Sequence, residues 1–523
     1  MSKEIKIGKH TLESLTTGMY EDPKIIFREY IQNSTDSIDN AISQGLLKNR
    51  NEGKIEVDLD EKGRTIRIKD NGLGVSVDEA WSKLCDVGNS SKHHSENRGF
   101  RGIGRLGGLS YAKELLFVTS CAGENKKSIV KWDCVRLKEL LQPGKFEDYD
   151  LIRVIDEVAI IELENEAKDV HYFEVILKGV DNPELIDEKT ISSYLSETAP
   201  IPFDAQRFPF YLDSKSGIKT KLQQINKPLE EYLIYLNKNP DPVYKPYKTW
   251  FTAKNTKDDI QRIEHILEYD DNGDLLFWGW YALTNFLGQV QEKEIRGLRV
   301  RKDNILIGGD RTLDVFFTQT RFNFYFIGEI YVYDKDVIPN ARRDNFELNE
   351  AFYRLKEKLE KHTRNHLSKY PLNYSNTNTA INNINKSEKE LSEIQQKLAN
   401  GLTSENERKK LEEKQERAVK RVEESKNILI KAQTKLEDYK RKEIESVLNK
   451  VPVVEQKKKE IVREIENVDL SVNKDRFLSH YSKDERKLII KILEIVDREL
   501  EGQVCEELKN KIIEGLKQKS KQK

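Results

Sequence analysis

The stretch IIFREYIQNSTDSIDNA, residues 25–41, decides how this chain is read. At 100° per residue Glu29, Asn33, Asp36 and Asn40 fall within about 60° of one another. Phe27, Ile31, Ile38 and Ile42 fall opposite. The spacing predicts a helix that buries one apolar face and presents a row of acid and amide groups on the other. Taken alone, it reads as an amphipathic surface helix.

Two segments downstream change that reading. In TIRIKDNGLGV, 65–75, alternating apolar residues run into Asp70, Gly72 and Gly74. By itself this is a strand ending in a turn. Then VGNSSKHHSENRGFRGIGRLGGLSYA, 87–112, carries Gly99, Gly102 and Gly104, which would let backbone amides approach a phosphate. It lacks the Lys-Ser/Thr ending of a Walker loop and does not follow the first strand of a βαβ unit.

In this order, the ExxxNxxD, DxGxG and GxxGxG segments resemble the ATP site of the GHKL superfamily: gyrase B, the ninety-kilodalton heat-shock chaperone, histidine kinases and MutL. The resemblance covers about residues 10 to 200. It implies an α+β fold with a Bergerat-type α/β sandwich, and ATP and Mg²⁺ as cofactors. Asp70 would accept a hydrogen bond from the adenine amino group, with Gly72 and Gly74 beside the base. Asn33 would offer its side-chain oxygen to Mg²⁺. Glu29 would be the general base that orients and deprotonates the attacking water. Asp36 would line the pocket. Ser90, Ser91 and Lys92 look like the start of the family's lid, and Gly99, Arg101, Gly102, Ile103, Gly104 and Arg105 like its phosphate-binding end. The stretch HYFEVIL, 171–177, offers no threonine where chaperone and MutL relatives carry one near adenine.

The rest of the chain frames this site. At 523 residues, two or three domains are expected. Charged residues make up 34% and apolar ones 37%, which suggests a globular part diluted by long solvated helices. Strands are expected at 127–135, 158–163 and 172–180, and the two prolines of TAPIPFD, 198–204, read as a boundary. The expected layout is an ATP-binding domain over 1–200, a small α/β transducer over 201–372 and a helical region over 373–523. In the second domain, strands are expected in LLFWGWYAL, RGLRVRKDNILIG and FNFYFIGEIYVYD, and a helix over 348–368. NYSNTNTAINNIN, 373–385, reads as a linker.

Beyond it, Ala418, Val422, Ser425, Leu429, Ala432, Leu436 and Tyr439 recur at coiled-coil spacing. Ser404 with Glu407 and Ser482 with Glu485 have the spacing of capping boxes, and Pro452 should interrupt a helix. The last expected helix carries Leu488, Ile492, Ile495 and Leu500 on its apolar side. The cysteines 85, 121, 134 and 505 show no metal spacing, and reduced thiols in the cytoplasm are expected. His362 and His366 are at helical spacing without a third ligand, so a solvated helix face is the reading. No apolar run has the length of a signal peptide or membrane span.

Residues 297–346 resemble the chaperone's transducer region, and Asn340, Arg343 and Asp344 match its Asn-x-x-Arg-acid loop. The resemblance implies that Arg343, with Arg342 second, reaches the γ-phosphate from the second domain. The start of the polar stripe at Glu29 leaves no expected room for phosphoacceptor helices before it, and neither a cleavage domain nor a DQHA-type motif follows residue 370. The expectation is an ATP-hydrolysing conformational machine that works as a homodimer and acts on a protein client or effector. Two alternatives stay open: a microrchidia-like clamp holding DNA through the positively charged region after 375, which ends KQKSKQK, and a nucleotide sensor in bacterial antiviral defence.

Overall fold

The computed structural model of the protein describes residues 8–12, 22–87, 104–400, 405–433, 438–467, 478, 481–500 and 502–520. They fall into two compact units, 1–368 and 369–523.

The first unit opens with helix α1 (Ile25–Ser43), strands β1 (Lys54–Asp60) and β2 (Thr65–Asp70), helix α2 (Val77–Cys85) and a 3-10 turn (Gly104–Ser110). Strands β3 (Glu114–Ser120) and β4 (Lys126–Asp133), helices α3 (Cys134–Leu140) and α4 (Leu151–Val158), and strands β5 (Ala159–Asn165) and β6 (Tyr172–Lys178) follow. Helices α5 (Glu188–Thr198) and α6 (Ile218–Gln224) and strand β7 (Leu233–Leu236) close the series. The three acidic starts are sequence-encoded: Asp133, Asp150 and Asp187 accept backbone N–H groups at the first turns of α3, α4 and α5.

These strands form one sheet in the order β5-β4-β3-β6-β2-β1-β7, antiparallel except for β1 beside β7. Helix α1 packs on β2 and β6. The sheet is not complete at residue 200: β7 comes from beyond the proline-marked segment and pairs with β1.

A second sheet follows in the same unit, from β8 (Trp250–Ala253), β9 (Thr256–Tyr269), β10 (Leu275–Thr284), β11 (Gly297–Lys302), β12 (Ile305–Ile307) and β13 (Ile327–Val332). Its order is β12-β11-β13-β10-β9-β8. The aromatic stretch expected as one strand is divided: Thr320–Tyr325 is a 3-10 turn and only Ile327–Val332 joins the sheet. Helix α7 (Glu350–His362) starts at an Asn349 cap and runs into a π-turn, Thr363–Leu367. His362 is half-buried and bonds Glu268 at 2.7 Å, which braces the helix against the sheet, whereas His366 is exposed and lies 3.4 Å from the Tyr281 hydroxyl.

One buried carboxylate organises the second sheet. Glu329 on β13 accepts from Lys245 at 3.0 and 3.1 Å, from Tyr247 at 3.0 Å, and from Arg301 and Tyr331. Burial alone would raise its carboxyl, but Arg301 and Lys245 outweigh burial and hold it at about 2. Arg301 also donates to the Glu197 carbonyl at 2.7 Å, and Arg299 to the Glu197 carboxylate at 2.9 Å. Glu197 belongs to α5, so the second sheet is tied to the layer that packs on the first.

The second unit is helical: α8 (Lys369–Asn400), α9 (Glu405–Gln433), α10 (Asp438–Leu448), α11 (Val451–Asn467), α12 (Lys483–Glu499) and α13 (Gln503–Ser520). The asparagine-rich stretch is no linker. It lies inside α8, where Tyr374, Thr377, Ile381 and Ile384 form a buried seam. Packing of that seam against α9 and α11 overrides the weak helix propensity of asparagine. Ala418, Val422, Ser425, Leu429 and Ala432 are buried, and α9 packs along α8 and α11 of its own chain; Leu436 and Ser404 lie outside the described residues. Pro452 stands in the first turn of α11, and the Ser482–Glu485 capping box is formed. The face expected to be buried in α12 is the exposed one: Leu488, Ile492 and Ile495 face solvent while Ile489 and Leu493 are covered. No described helix is long and apolar enough to cross a membrane.

Replacing Glu329 by Gln should destabilise the first unit by about 3–5 kcal/mol, because Arg301 and Lys245 would be left buried without their counter-charge. Chemical denaturation followed by tryptophan fluorescence measures this. A loss under about 1 kcal/mol would remove the carboxylate from its organising role.

Candidate functional site

The site is built on α1, which is covered on nearly every side. Arg28, Glu29, Gln32, Ser34, Thr35 and Asp36 are buried together with Phe27 and Ile31, so the polar stripe is not a surface face. Asn33 is half-buried and Asn40 is exposed. The apolar face packs on the sheet, while the polar face meets the Gly104–Ser110 turn and a loop of the second sheet.

Asp70 ends β2, whose burial alternates along Thr65–Asp70. Period two places it in line with Ile66 and Ile68, on the core side. Oδ1 accepts the Gly72 N–H at 2.9 Å, and Oδ2 has no partner among the described residues. Burial raises the carboxyl to about 6, against the pull of the Ser34 hydroxyl, the Gly72 amide and the Ser37 hydroxyl. The hydroxyls are close enough to favour the charged form, yet neither makes an aligned hydrogen bond to Oδ2.

The two glycines have packing reasons of their own. A Cβ on Gly72 would stand 2.2 Å from Ser37 Oγ on α1, and one on Gly74, at φ +75°, 2.0 Å from the Ser120 carbonyl. His171 Nδ1 lies 2.7 Å from the Gly72 carbonyl, which can only accept, so Nδ1 carries a proton. The register sets Phe173 directly opposite Asp70 and Thr119 opposite Phe173. Phe173 stacks on Phe117, and the Thr119 hydroxyl donates to the Tyr172 carbonyl while accepting from Val75 N–H. Phe173 is thus the residue of the 171–177 stretch that pairs with Asp70.

Glu29 meets two elements from elsewhere in the chain. A Cβ on Gly104 would lie 2.1 Å from Glu29 Oε2, so the carboxylate touches the turn's backbone. Arg343 Nε lies 3.2 Å from Glu29 Oε1, though without hydrogen-bond alignment among the described residues. Arg343 sits at φ +56° in a loop closed by the Asn340–Asp344 side-chain bond of 2.6 Å and by Gly308 N–H donating to its carbonyl at 2.8 Å. Asn340 and Asp344 thus shape the turn, and the strained arginine is the residue it presents. Arg28, buried beside Glu29, donates to the carbonyls of Arg342 at 2.9 Å and Arg343 at 3.5 Å. The Arg342 side chain is exposed.

Arg105 is half-buried and donates to the Asp86 carbonyl; it is not a solvated loop arginine. Ser90, Ser91, Lys92, Gly99, Arg101, Gly102 and Ile103 lie outside the described residues. No group of three or more acidic, His or Cys side chains that could hold a metal occurs among the described residues. The cysteines are free, and burial pushes the Cys85 and Cys134 thiols up to about 12.

The family model described as histidine kinase-, DNA gyrase B- and HSP90-like ATPase matches residues 22–158. The chain carries a GHKL-family ATPase domain. It is similar to the chaperone protein HtpG of Geobacter metallireducens, 27% identical over 140 residues, 23% of this chain and 22% of the relative. HtpG of Wigglesworthia glossinidia brevipalpis is 25% identical over 291 residues, 52% of this chain and 40% of the relative. HtpG of Legionella pneumophila is 36% identical over 87 residues, 16% and 14% of the two chains. The chain thus spans less than half of each of these relatives. The matched GHKL region contains α1, Asp70 and the Gly104–Ser110 turn.

Arg28, Tyr30 and Phe173 were not singled out from the sequence. The first two stand beside Glu29 in FREY, but only tertiary partners give them a task. Phe173 gains its place only from the register that pairs it with Asp70.

Because burial raises Asp70 in the folded state from 3.8 to about 6, the ligand-free protein holds more protons than its unfolded chain between those values. Its stability should fall as pH rises through that window, by on the order of 3 kcal/mol from this group. Thermal unfolding of the parent and of Asp70→Asn across pH 4–8 isolates the effect as a difference. Parallel curves would show that Asp70 titrates at its ordinary value.

Proposed function

We propose that this chain hydrolyses ATP and uses the cycle to drive a conformational change that passes through the Arg343 loop beside the second sheet. The observation that carries the reading is the approach of Arg343 to Glu29 at 3.2 Å, which links the second sheet to the ATPase helix. A carboxylate beside a guanidinium is a resting pair. The triphosphate would supply a competing anion for Arg343, leaving Glu29 to orient and deprotonate water.

Asp70 fits the adenine role: the carboxylate is charged at neutral pH, and its buried Oδ2 has no aligned hydrogen-bond partner among the described residues, so it can accept an exocyclic amino group. Phe173 pairs with Asp70 across the sheet and would present its ring on that side of the base. Mg²⁺ fits as a cation that arrives with the nucleotide, since the stripe offers the Asn33 amide oxygen and no cluster of three carboxylates. Bound there, it would neutralise phosphate charge.

The proposed cycle follows from these parts. Nucleotide draws the Arg343 side chain from Glu29 onto the γ-phosphate while Arg28 keeps the loop's carbonyls on α1, and hydrolysis through Glu29 resets the pair. A homodimer acting on a protein client, in the manner suggested by the HtpG likeness, is the assembly we propose. The seam of α9 is spent within its own chain and leaves that contact to other surfaces.

Asp70→Ala should abolish ATP binding in calorimetric titration. Glu29→Ala should bind ATP and hydrolyse it roughly a hundredfold or more slowly. Arg343→Ala should also bind, with turnover at least about tenfold lower, and Arg342→Ala should lose less. Phosphate release in single turnover reads the last three. Parent-like hydrolysis by Glu29→Ala would sink the assignment of the base, and equal losses at 342 and 343 would sink that of the arginine.

A further inference from the structure

Residue 30 follows the base in α1, and it is a tyrosine buried to 1% exposure. Its hydroxyl donates to the Arg105 carbonyl at 3.1 Å and accepts the Gly108 N–H at 3.1 Å. Both partners are main-chain groups of the Gly104–Ser110 turn. Leu106 and Leu109 on the same turn are buried, so the hydroxyl is a polar latch within an apolar contact.

The turn's glycines match this contact. A Cβ on Gly108 would stand 2.4 Å from the Tyr30 hydroxyl, as one on Gly104 would stand 2.1 Å from the Glu29 carboxylate. Adjacent residues of the helix therefore each face a glycine of the turn, four positions apart. The first contact sets how near the backbone comes to the carboxylate. The second holds the turn at that height.

Resting on the hydrolytic reading of Glu29, we infer that Tyr30 is a positioning residue: through Gly108 and Arg105 its hydroxyl fixes the Gly104–Ser110 turn against the catalytic carboxylate. Without it the turn keeps its leucines in place but loses its hydrogen-bonded register on α1. The carboxylate then samples orientations that the Gly104 backbone now excludes. Adenine recognition rests on Asp70, at the end of β2, so the loss falls on turnover before it falls on affinity.

The test uses the full chain with Tyr30→Phe, Gly108→Ala and the double variant, read by steady-state ATP hydrolysis, calorimetric ATP titration and thermal unfolding. Tyr30→Phe should lower kcat roughly ten- to a hundredfold while the Kd for ATP stays within about threefold. Gly108→Ala should be at least as damaging in the parent but add little to Tyr30→Phe, because the hydroxyl oxygen is the atom its methyl meets. Should Gly108→Ala fail to fold, the double variant against Tyr30→Phe still reads the coupling. A parent-like kcat in Tyr30→Phe, equal proportional losses in kcat and affinity, or strictly additive penalties would each overturn the inference. If Glu29→Ala hydrolyses ATP like the parent, the hydrolytic reading fails first. If Glu29→Ala is inactive and Tyr30→Phe is not slowed, only the positioning role falls.

Discussion

The charge on Glu329 is the constraint from which the geometry of the first unit follows. A carboxylate with no solvent exposure is stable there because two cations and two hydroxyls converge on it. Arg301 cannot serve it and move freely, and the same guanidinium reaches the end of α5. The second sheet is therefore held at a set position against α5, which packs on α1. From that position the 340–344 loop arrives at Glu29. The placement of one arginine beside one glutamate is thus determined by a buried charge on a different strand.

The ATPase helix shows the same economy at closer range. Consecutive residues Arg28, Glu29 and Tyr30 reach, respectively, the carbonyls of the arginine loop, its guanidinium and the glycine turn. Helical geometry spreads them by about 100° each, which lets one turn of α1 contact two separate segments. A helix used this way cannot have a solvated side.

Local signals carried much of this into the sequence. The acid and amide spacing of α1, the alternation leading to Asp70 and the glycine at 104 are visible because each follows a short-range period or a steric demand, whereas Gly108 is explained only by its contact with Tyr30. The loop pattern Asn340, Arg343, Asp344 was legible through its resemblance to the chaperone's transducer loop, and the structure adds that its first and last members bond each other. What escaped depended on distant partners. The asparagines of α8 have poor helix propensity, and only the seam they share with Tyr374 and Ile381 makes them helical. In α12 the Leu488 and Ile489 faces are both apolar, so periodicity could not say which one is covered. Arg28 reads as an ordinary helix arginine until carbonyls from residues 342 and 343 are placed against it.

The late strand β7 has a consequence for how this protein can be divided. It is the edge partner of β1, in parallel register from Lys54 to Val57, yet it lies after α6 and just before Lys245. A fragment cut after residue 200 would leave β1 as a bare edge with open N–H and C=O groups, a template for aggregation. Extending the fragment to include β7 cures that edge, but an end point between residues 245 and 329 separates the lysine from Glu329, and an earlier one leaves out the second sheet altogether. The strands of the two sheets follow one another in sequence, but Phe203 to Leu222 pack in the second core before β7 joins the first sheet, so the smallest piece that keeps both Asp70 and Arg343 in their settings is the whole first unit.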